Sequence, residues 1–382
     1  MRIAILAHST NPRGGVVHAM HLAEALCAAG HEAVLHAPDA AGQGFFRTPD
    51  CPHEAIPVAA APRDILALVE QRRAEYAGWF TAPARRSFDV FHAQDALSGN
   101  ALADLHAAGL IDGFARTVHH IDDFADPGLM ALQARAVTQA RALFTVSEQW
   151  RGILAQGWGR DPRIVGNGVD AQRFTPRPDG REAALRRRWG LGAGPVFLAI
   201  GGAEARKNTL GILDAFIAFR SGTPSAQLLI AGGASLLDHG AYQARFAARL
   251  AAAALPAEAV ILAGPVEDAE MPALYRLVDA LVFPSLKEGF GLVVLEALAS
   301  GIPAIVPRLA PFTEFLRPAE TLWCDPKDSA SITAAMAASL DPERRAALAV
   351  RGHAVVARHG WDRVAAAQLD GYRAFLEQPG HA

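Results

Sequence analysis

The sequence predicts an α/β protein made of two doubly wound, Rossmann-like domains, each on a parallel sheet. Three observations carry this. Short, continuously apolar runs bounded by turns alternate with helix-like stretches along the chain, as strands buried on both sheet faces do. At 382 residues the chain exceeds what one core ordinarily supports. The alternation also restarts after "NGVDAQRFTPRPDG" (167–180), which reads as a linker.

Taken in order, "RIAILAH" (2–8) is a strand and "VVHAMHLAEALCAAG" (16–30) a helix ending at Gly30. Glycine readily takes the left-handed position that closes a helix. "EAVLHA" is the second strand, whereas 38–62, rich in Pro, Gly and Ala, carries no assignable element. "DILALVEQRRAEYA" follows as a helix, then strands at "FDVFHAQ" (88–94), "RTVHH" (116–120) and "LFTVSE" (143–148). The second half supplies strands "PVFLAIGG" (195–202), "AQLLIAGG" (226–233), "AVILAGPV" (259–266), "ALVFPS" (280–285) and "IPAIVP" (302–307), with helix "NTLGILDAFIAFR" at 208–220. The implied domains are 1–172 and 173–361. Ligands of such sheets bind beyond the carboxyl ends of the strands, so a cleft between the domains is the expected site.

A composition with 51% hydrophobic and 20% charged residues fits a soluble globular protein. Net charge is −3, and the densest basic run, Arg186–Arg187–Arg188, suits a solvated helix face, which excludes nucleic acid as a main partner. Three scattered cysteines, Cys27, Cys51 and Cys324, match no metal-ligand spacing and suit a reducing compartment. "MRIAILAHS" is too brief an apolar run for a signal peptide, and no stretch reaches the length of a membrane span. A cytoplasmic protein is the expectation.

Four places carry candidate chemistry. "SLKEGFGLVVLEALASGIPAIVP" (285–307) is apolar nearly throughout yet holds Glu288 and Glu296. Carboxylates in such surroundings need partners. They are hydroxyl acceptors, a glycosidase-like acid pair, or merely a helix cap and an edge residue. "NPRGG" (11–15) joins the first strand to the first helix, where glycines and a helix N-terminus admit an anion; a plain turn is the alternative. "GGAEARKNTLGIL" (201–213) sets Arg206 and Lys207 ahead of a helix, against its dipole, a conflict that an anionic ligand resolves and that a solvated cation pair leaves standing. His119 and His120 end a strand and so face opposite ways, which argues against a metal site using both.

Together these stretches resemble the retaining, nucleotide-sugar-dependent glycosyltransferases of the GT-B architecture, the family that includes glycogen synthases. "FPSLKEGFGLVVLEALASGIPAIV" is similar to the family's E-x7-E segment nearly residue for residue. "NGVDAQRFTP", "RKN", "NPRGGVVHAMHLAEALCAAGHEAVL", "FTVSE", "GPVEDAEMPALYRLVDALVFPS" and "GWDRVAAAQLDGYRAFL" also fit, and the likeness is weakest over 38–88 and 310–330. It implies an EC 2.4 enzyme, with 1–172 the acceptor side, 173–361 the donor-binding side, and a helix at about 362–378 returning to the first domain.

The resemblance also implies roles. Glu296 binds the donor ribose, Glu288 the transferred sugar, and Lys207, Arg206 and the Gly14–Gly15 loop the diphosphate. His119 contacts the sugar, and the turn Gly264–Val266 meets the base. Gly289, Phe290, Gly291 and Leu292 complete the donor side; Asn11, His92 and Asp95 are assigned to the acceptor side. Transfer proceeds with retention and without cofactor or essential metal. The acceptor stays open among glycan, small molecule and lipid, although the absence of a basic amphipathic helix in the first half disfavours a lipid. Where the family usually has arginine this chain has Gly202, so a silent nucleotide-sugar binding protein is the alternative from another class. A nucleotide-sugar epimerase, or a phosphorylase on the same architecture, is the weaker enzyme alternative.

Overall fold

The structure, a computed structural model, describes residues 1–233 and 240–377. It has two compact units, Met1–Gly168 with the C-terminal segment from Trp361, and Val169–Gly360. The first contains β1 Arg2–Leu6, β2 Glu32–Asp39, β3 His53–Pro57, β4 Val90–Ala93, β5 Ala115–Val118, β6 Ala142–Thr145 and β7 Arg163–Ile164. All pair in parallel, in the order β3-β2-β1-β4-β5-β6-β7. In the second unit β8 Val196–Ile200, β9 Gln227–Ala231, β10 Val260–Gly264, β11 Ala280–Val282, β12 Ala304–Pro307 and β13 Leu322–Cys324 form a sheet ordered β10-β9-β8-β11-β12-β13.

Both orders reverse direction once, between β1 and β4 and between β8 and β11. Loops leaving adjacent strands diverge there and open a crevice beyond the strand ends. The segments after β1 and β4 carry Asn11–Gly15 and Gln94–Asp95, and those after β8 and β11 carry Arg206–Lys207 and Glu288. The fold thus sets three of the four candidate motifs at a switch point, whereas His119–His120 follow β5 beside it.

Central strands are apolar because both faces are covered: Ile3, Ala4, Ile5 and Leu6 are fully buried, as are Phe197, Leu198, Leu228 and Leu229. Helix Trp361–Glu377 belongs to the first unit, where the Tyr372 hydroxyl lies 2.6 Å from His92 Nδ1 and its ring packs edge-on to Phe144. Residue 378, the expected end of this helix, lies outside the described residues.

Some expectations change. The strand at 116–120 stops at Val118, so His119 and His120 begin a loop and strand alternation does not govern them. Region 38–62 contains edge strand β3, whose exposed pattern hid it, and β7 and β13 are too short to leave a periodic signal.

The first unit buries three neutral histidines. Burial lowers His18 to about 4, His36 to about 4 and His92 to about 3. Unfolded histidines take up protons below about pH 6.5. Between that value and the folded ones the unfolded chain binds more protons, so stability falls as pH falls. The expected loss is up to about 1.4 kcal/mol per pH unit for each histidine. Melts from pH 7 to 5 should show a declining Tm; a flat Tm would contradict this account.

Candidate functional site

The second unit builds its site from the loops after β8 and β11. After Ile200 the chain turns at Gly201 and Gly202, whose amides both bond Ala231 O of β9. A Cβ on Gly201 would come 2.9 Å from Lys207 Cε, so the missing side chain lets the lysine stem lie across the turn. A short 3-10 turn, Ala205–Lys207, leads through left-handed Asn208 into helix Thr209–Gly222, and Asn208 Nδ2 donates to Pro326 O at 2.6 Å.

Lys207 Nζ donates to Glu288 Oε1 at 2.6 Å and sits 4.4 Å from the Phe283 ring centre. Arg206 Nη1 approaches the same oxygen at 3.4 Å, and its Nε lies 3.0 Å from Glu204 Oε2. Burial opposes the Glu288 charge, but Lys207 and Arg206 outweigh it and hold the carboxyl below its ordinary value. Burial also pulls Lys207 down, against the attraction of Glu288. Given the short charge-assisted contact, both groups are ionised at neutral pH.

Eight residues after Glu288, Glu296 lies in helix Leu292–Ala299. The fully buried Tyr275 hydroxyl donates to its Oε2 at 2.7 Å. Burial first, and then Glu296, raise the Tyr275 pKa well above its usual value, so the phenol stays protonated. Of the other expected donor-side residues, half-buried Gly289 follows Glu288, and Gly291 with Leu292 opens the helix. Phe290 is buried and stacks on Phe315 at 4.4 Å, a support for the loop. Gly264 ends β10 and accepts from Gly232 N at 2.7 Å; half-buried Val266 lies two residues on.

In the first unit helix Gly14–Ala28 begins at the glycine pair, so the Gly14 and Gly15 amides are first-turn donors without intrahelical acceptors. Gly15 backs onto the His119 ring, since a Cβ there would lie 3.5 Å from His119 Cδ2. Half-buried His119 has Nε2 3.1 Å from Gln94 Oε1 and packs edge-on to His18. Burial first, and then the titratable neighbours His18, His120, His92 and Arg116, hold it well below its usual pKa, so it is neutral. Asn11 is exposed. Asp95 caps helix Ala96–Ala107 by accepting from Ser98 N at 2.8 Å, and its Oδ2 stands 3.7 Å from His8 Nδ1.

His92 requires a correction. It is fully buried, with Nδ1 2.6 Å from the Tyr372 hydroxyl and Nε2 2.8 Å from Thr117 Oγ1. Both ring nitrogens are occupied inside the core, so it is a packing residue and not an acceptor contact. Sequence reasoning also missed Tyr275, Glu204 and Phe283. Glu204 had a signal, an acid two residues before a cation pair; Tyr275 and Phe283 looked like core.

The second-unit site can hold an anion at two cations and polar hydroxyls at two carboxylates. No cluster of potential metal ligands occurs among the described residues. No described helix is long and apolar enough to cross a membrane.

Residues 182–353 match the family "Glycosyl transferases group 1", and residues 12–173 match "Glycosyltransferase Family 4". The chain is 30% identical over 319 residues to a D-inositol 3-phosphate glycosyltransferase of Xylanimonas cellulosilytica, covering 78% of this chain and 75% of that one. It is 32% identical over 218 residues to a GDP-mannose-dependent alpha-(1-6)-phosphatidylinositol monomannoside mannosyltransferase of Mycolicibacterium smegmatis. That match covers 54% of this chain and spans only 55% of the mannosyltransferase. In fold it resembles HepE of Anabaena, solved in complex with UDP-glucose, with TM-score 0.77 over 99% of this chain and 100% of that one at 17% identity.

Tyr275→Phe removes a buried hydrogen bond to a charged acceptor. A loss of about 1.5–3 kcal/mol in the stability of the second unit is expected. Urea titration measures it, and an unchanged midpoint would mean that Glu296 does not depend on Tyr275.

Proposed function

This chain belongs to the group 1 glycosyltransferases of the GT-B fold, and we propose that it moves a sugar from a nucleoside diphosphate donor to an acceptor hydroxyl with retention. The observation that carries the reading is the convergence of Lys207 and Arg206 on one oxygen of Glu288. It joins phosphate-type cations to a hydroxyl-accepting carboxylate, and Glu296 supplies a second carboxylate one helix turn inside.

Breaking the bond from the anomeric carbon to the diphosphate oxygen leaves an oxocarbenium-like sugar and moves the electron pair onto the diphosphate. Lys207 and Arg206 stabilise that charge from fixed positions, often the largest catalytic contribution. Glu288 then holds sugar hydroxyls and Glu296 the ribose hydroxyls, as strong charge-assisted acceptors. Gly264 and Val266 meet the base. In the first unit the Gly15 amide adds a donor for the diphosphate. Neutral His119 meets the sugar as a hydrogen-bond partner, not as a cation. The acceptor hydroxyl attacks on the face the diphosphate leaves, and its proton passes to the departing phosphate. No protein nucleophile, cofactor or essential metal enters this scheme. Three free cysteines suit a cytoplasmic setting, where donor nucleotides meet a reduced protein.

A ligand bound only by the native state raises stability. In a thermal-shift screen of UDP- and GDP-sugars, at least one should raise Tm by about 5 °C near saturation. No response to any of them would sink the reading. With the responding donor, Glu296→Ala is expected to weaken donor binding about tenfold or more, the worth of a charge-assisted bond. Glu288→Ala should mainly lower kcat, by about a hundredfold. Equal, negligible effects would return both acids to structural roles. Product configuration by NMR should match the donor; inversion would refute retention.

A further inference from the structure

We infer that Glu204 is a positioning residue: its buried carboxylate holds the Arg206 guanidinium beside Lys207, so that the two cations act as one fork on the leaving diphosphate. The inference rests on the reading above and names a residue that it leaves out.

Glu204 is 1% exposed, and a carboxylate so placed persists only with strong partners. Its Oε2 lies 3.0 Å from Arg206 Nε. The Arg206 side chain is 43% exposed, and a long exposed side chain with several rotamers does not stay in one place unaided. Its backbone is held as well: Arg206 O accepts from Leu286 N at 2.8 Å, and Lys207 N bonds Glu204 O at 3.1 Å. One residue therefore begins the turn with its carbonyl and anchors the arginine with its carboxylate. The result is visible at Glu288 Oε1, where Lys207 Nζ stands at 2.6 Å and Arg206 Nη1 at 3.4 Å. A single anionic oxygen already receives both cations, the arrangement that a phosphate oxygen would use.

The strand-end turn itself offers no alternative source of charge. Gly202 has φ +69°, and a Cβ there would lie 3.1 Å from Gly233 O. A side chain at 202 meets both left-handed backbone strain and a carbonyl wall. The second cation must come from further along the loop, and Arg206 reaches the place only in the direction that Glu204 sets.

The test measures UDP and UMP affinity (GDP and GMP if the guanine nucleotides bind instead) by calorimetry. The proteins are the wild type, Glu204→Gln, Arg206→Ala, Arg206→Lys and the Glu204→Gln/Arg206→Ala double variant. Glu204→Gln should weaken diphosphate binding about tenfold, in the range of losing one close ion pair, and change monophosphate binding little. Arg206→Ala should do the same, and the double variant should lose no more than the worse single one. Arg206→Lys, an exposed substitution that leaves Glu204 in place, should lose nearly as much, because a lysine cannot bridge both groups. Multiplicative losses in the double variant, equal losses for mono- and diphosphate, or wild-type affinity in Arg206→Lys would overturn the inference alone. Failure of the wild type to bind either diphosphate would overturn the donor reading and this inference with it.

Discussion

The ion pair between Lys207 and Glu288 is the contact on which the second unit's site depends. It joins the loops that leave β8 and β11, the two strands flanking the point where the sheet order reverses. Taking two charges out of water costs several kcal/mol each, and the mutual attraction compensates only with short, well-aligned contacts. Here the lysine and glutamate side chains are 12% and 9% exposed, the separation is 2.6 Å, and Arg206 adds a second cation. A pair of this kind contributes little net stability compared with apolar residues of the same volume. What it fixes is geometry: two loops with separate strands behind them are held in one register.

The surroundings explain how that geometry persists. Phe283 lies under the ammonium, and Phe290 stacks on Phe315 behind the glutamate loop. Tyr275 occupies one oxygen of Glu296 from inside the core. Lys207 is thus backed by an aromatic ring and Glu296 by a buried donor, which holds both in fixed positions. The first unit uses the opposite device. His18, His92 and His119 are kept neutral by burial, so the first unit carries these rings as uncharged hydrogen-bonding groups.

Legibility followed length and periodicity. Central strands such as β1 and β8 stood out as continuous apolar runs because both faces are covered. Edge strand β3 exposes most of its residues and β7 has only two, so neither leaves a pattern above that of a loop. At the site, Glu288, Glu296, Lys207 and Arg206 were visible as charges in apolar or electrostatically awkward places. His92 was misassigned because a strand end looks alike in sequence whether its side chains reach solvent or helix Trp361–Glu377 covers them.

The α/β class and the two series of strands are legible in the sequence alone, as are the charged residues in apolar or electrostatically awkward places, for which functional and ordinary structural readings both stood open. These are consequences of local order: burial on both faces, helix polarity, and carboxylates amid apolar neighbours. Only the tertiary structure decided which residues serve those charges. Glu204 is two residues from Arg206, but its burial comes from the fold; Tyr275 reaches Glu296 across 21 positions, and Lys207 meets Glu288 across 81. The reason is physical. Strand order brings distant loops together at the sheet's reversal, and partners for a buried charge are chosen by distance in space, which no spacing along the chain records.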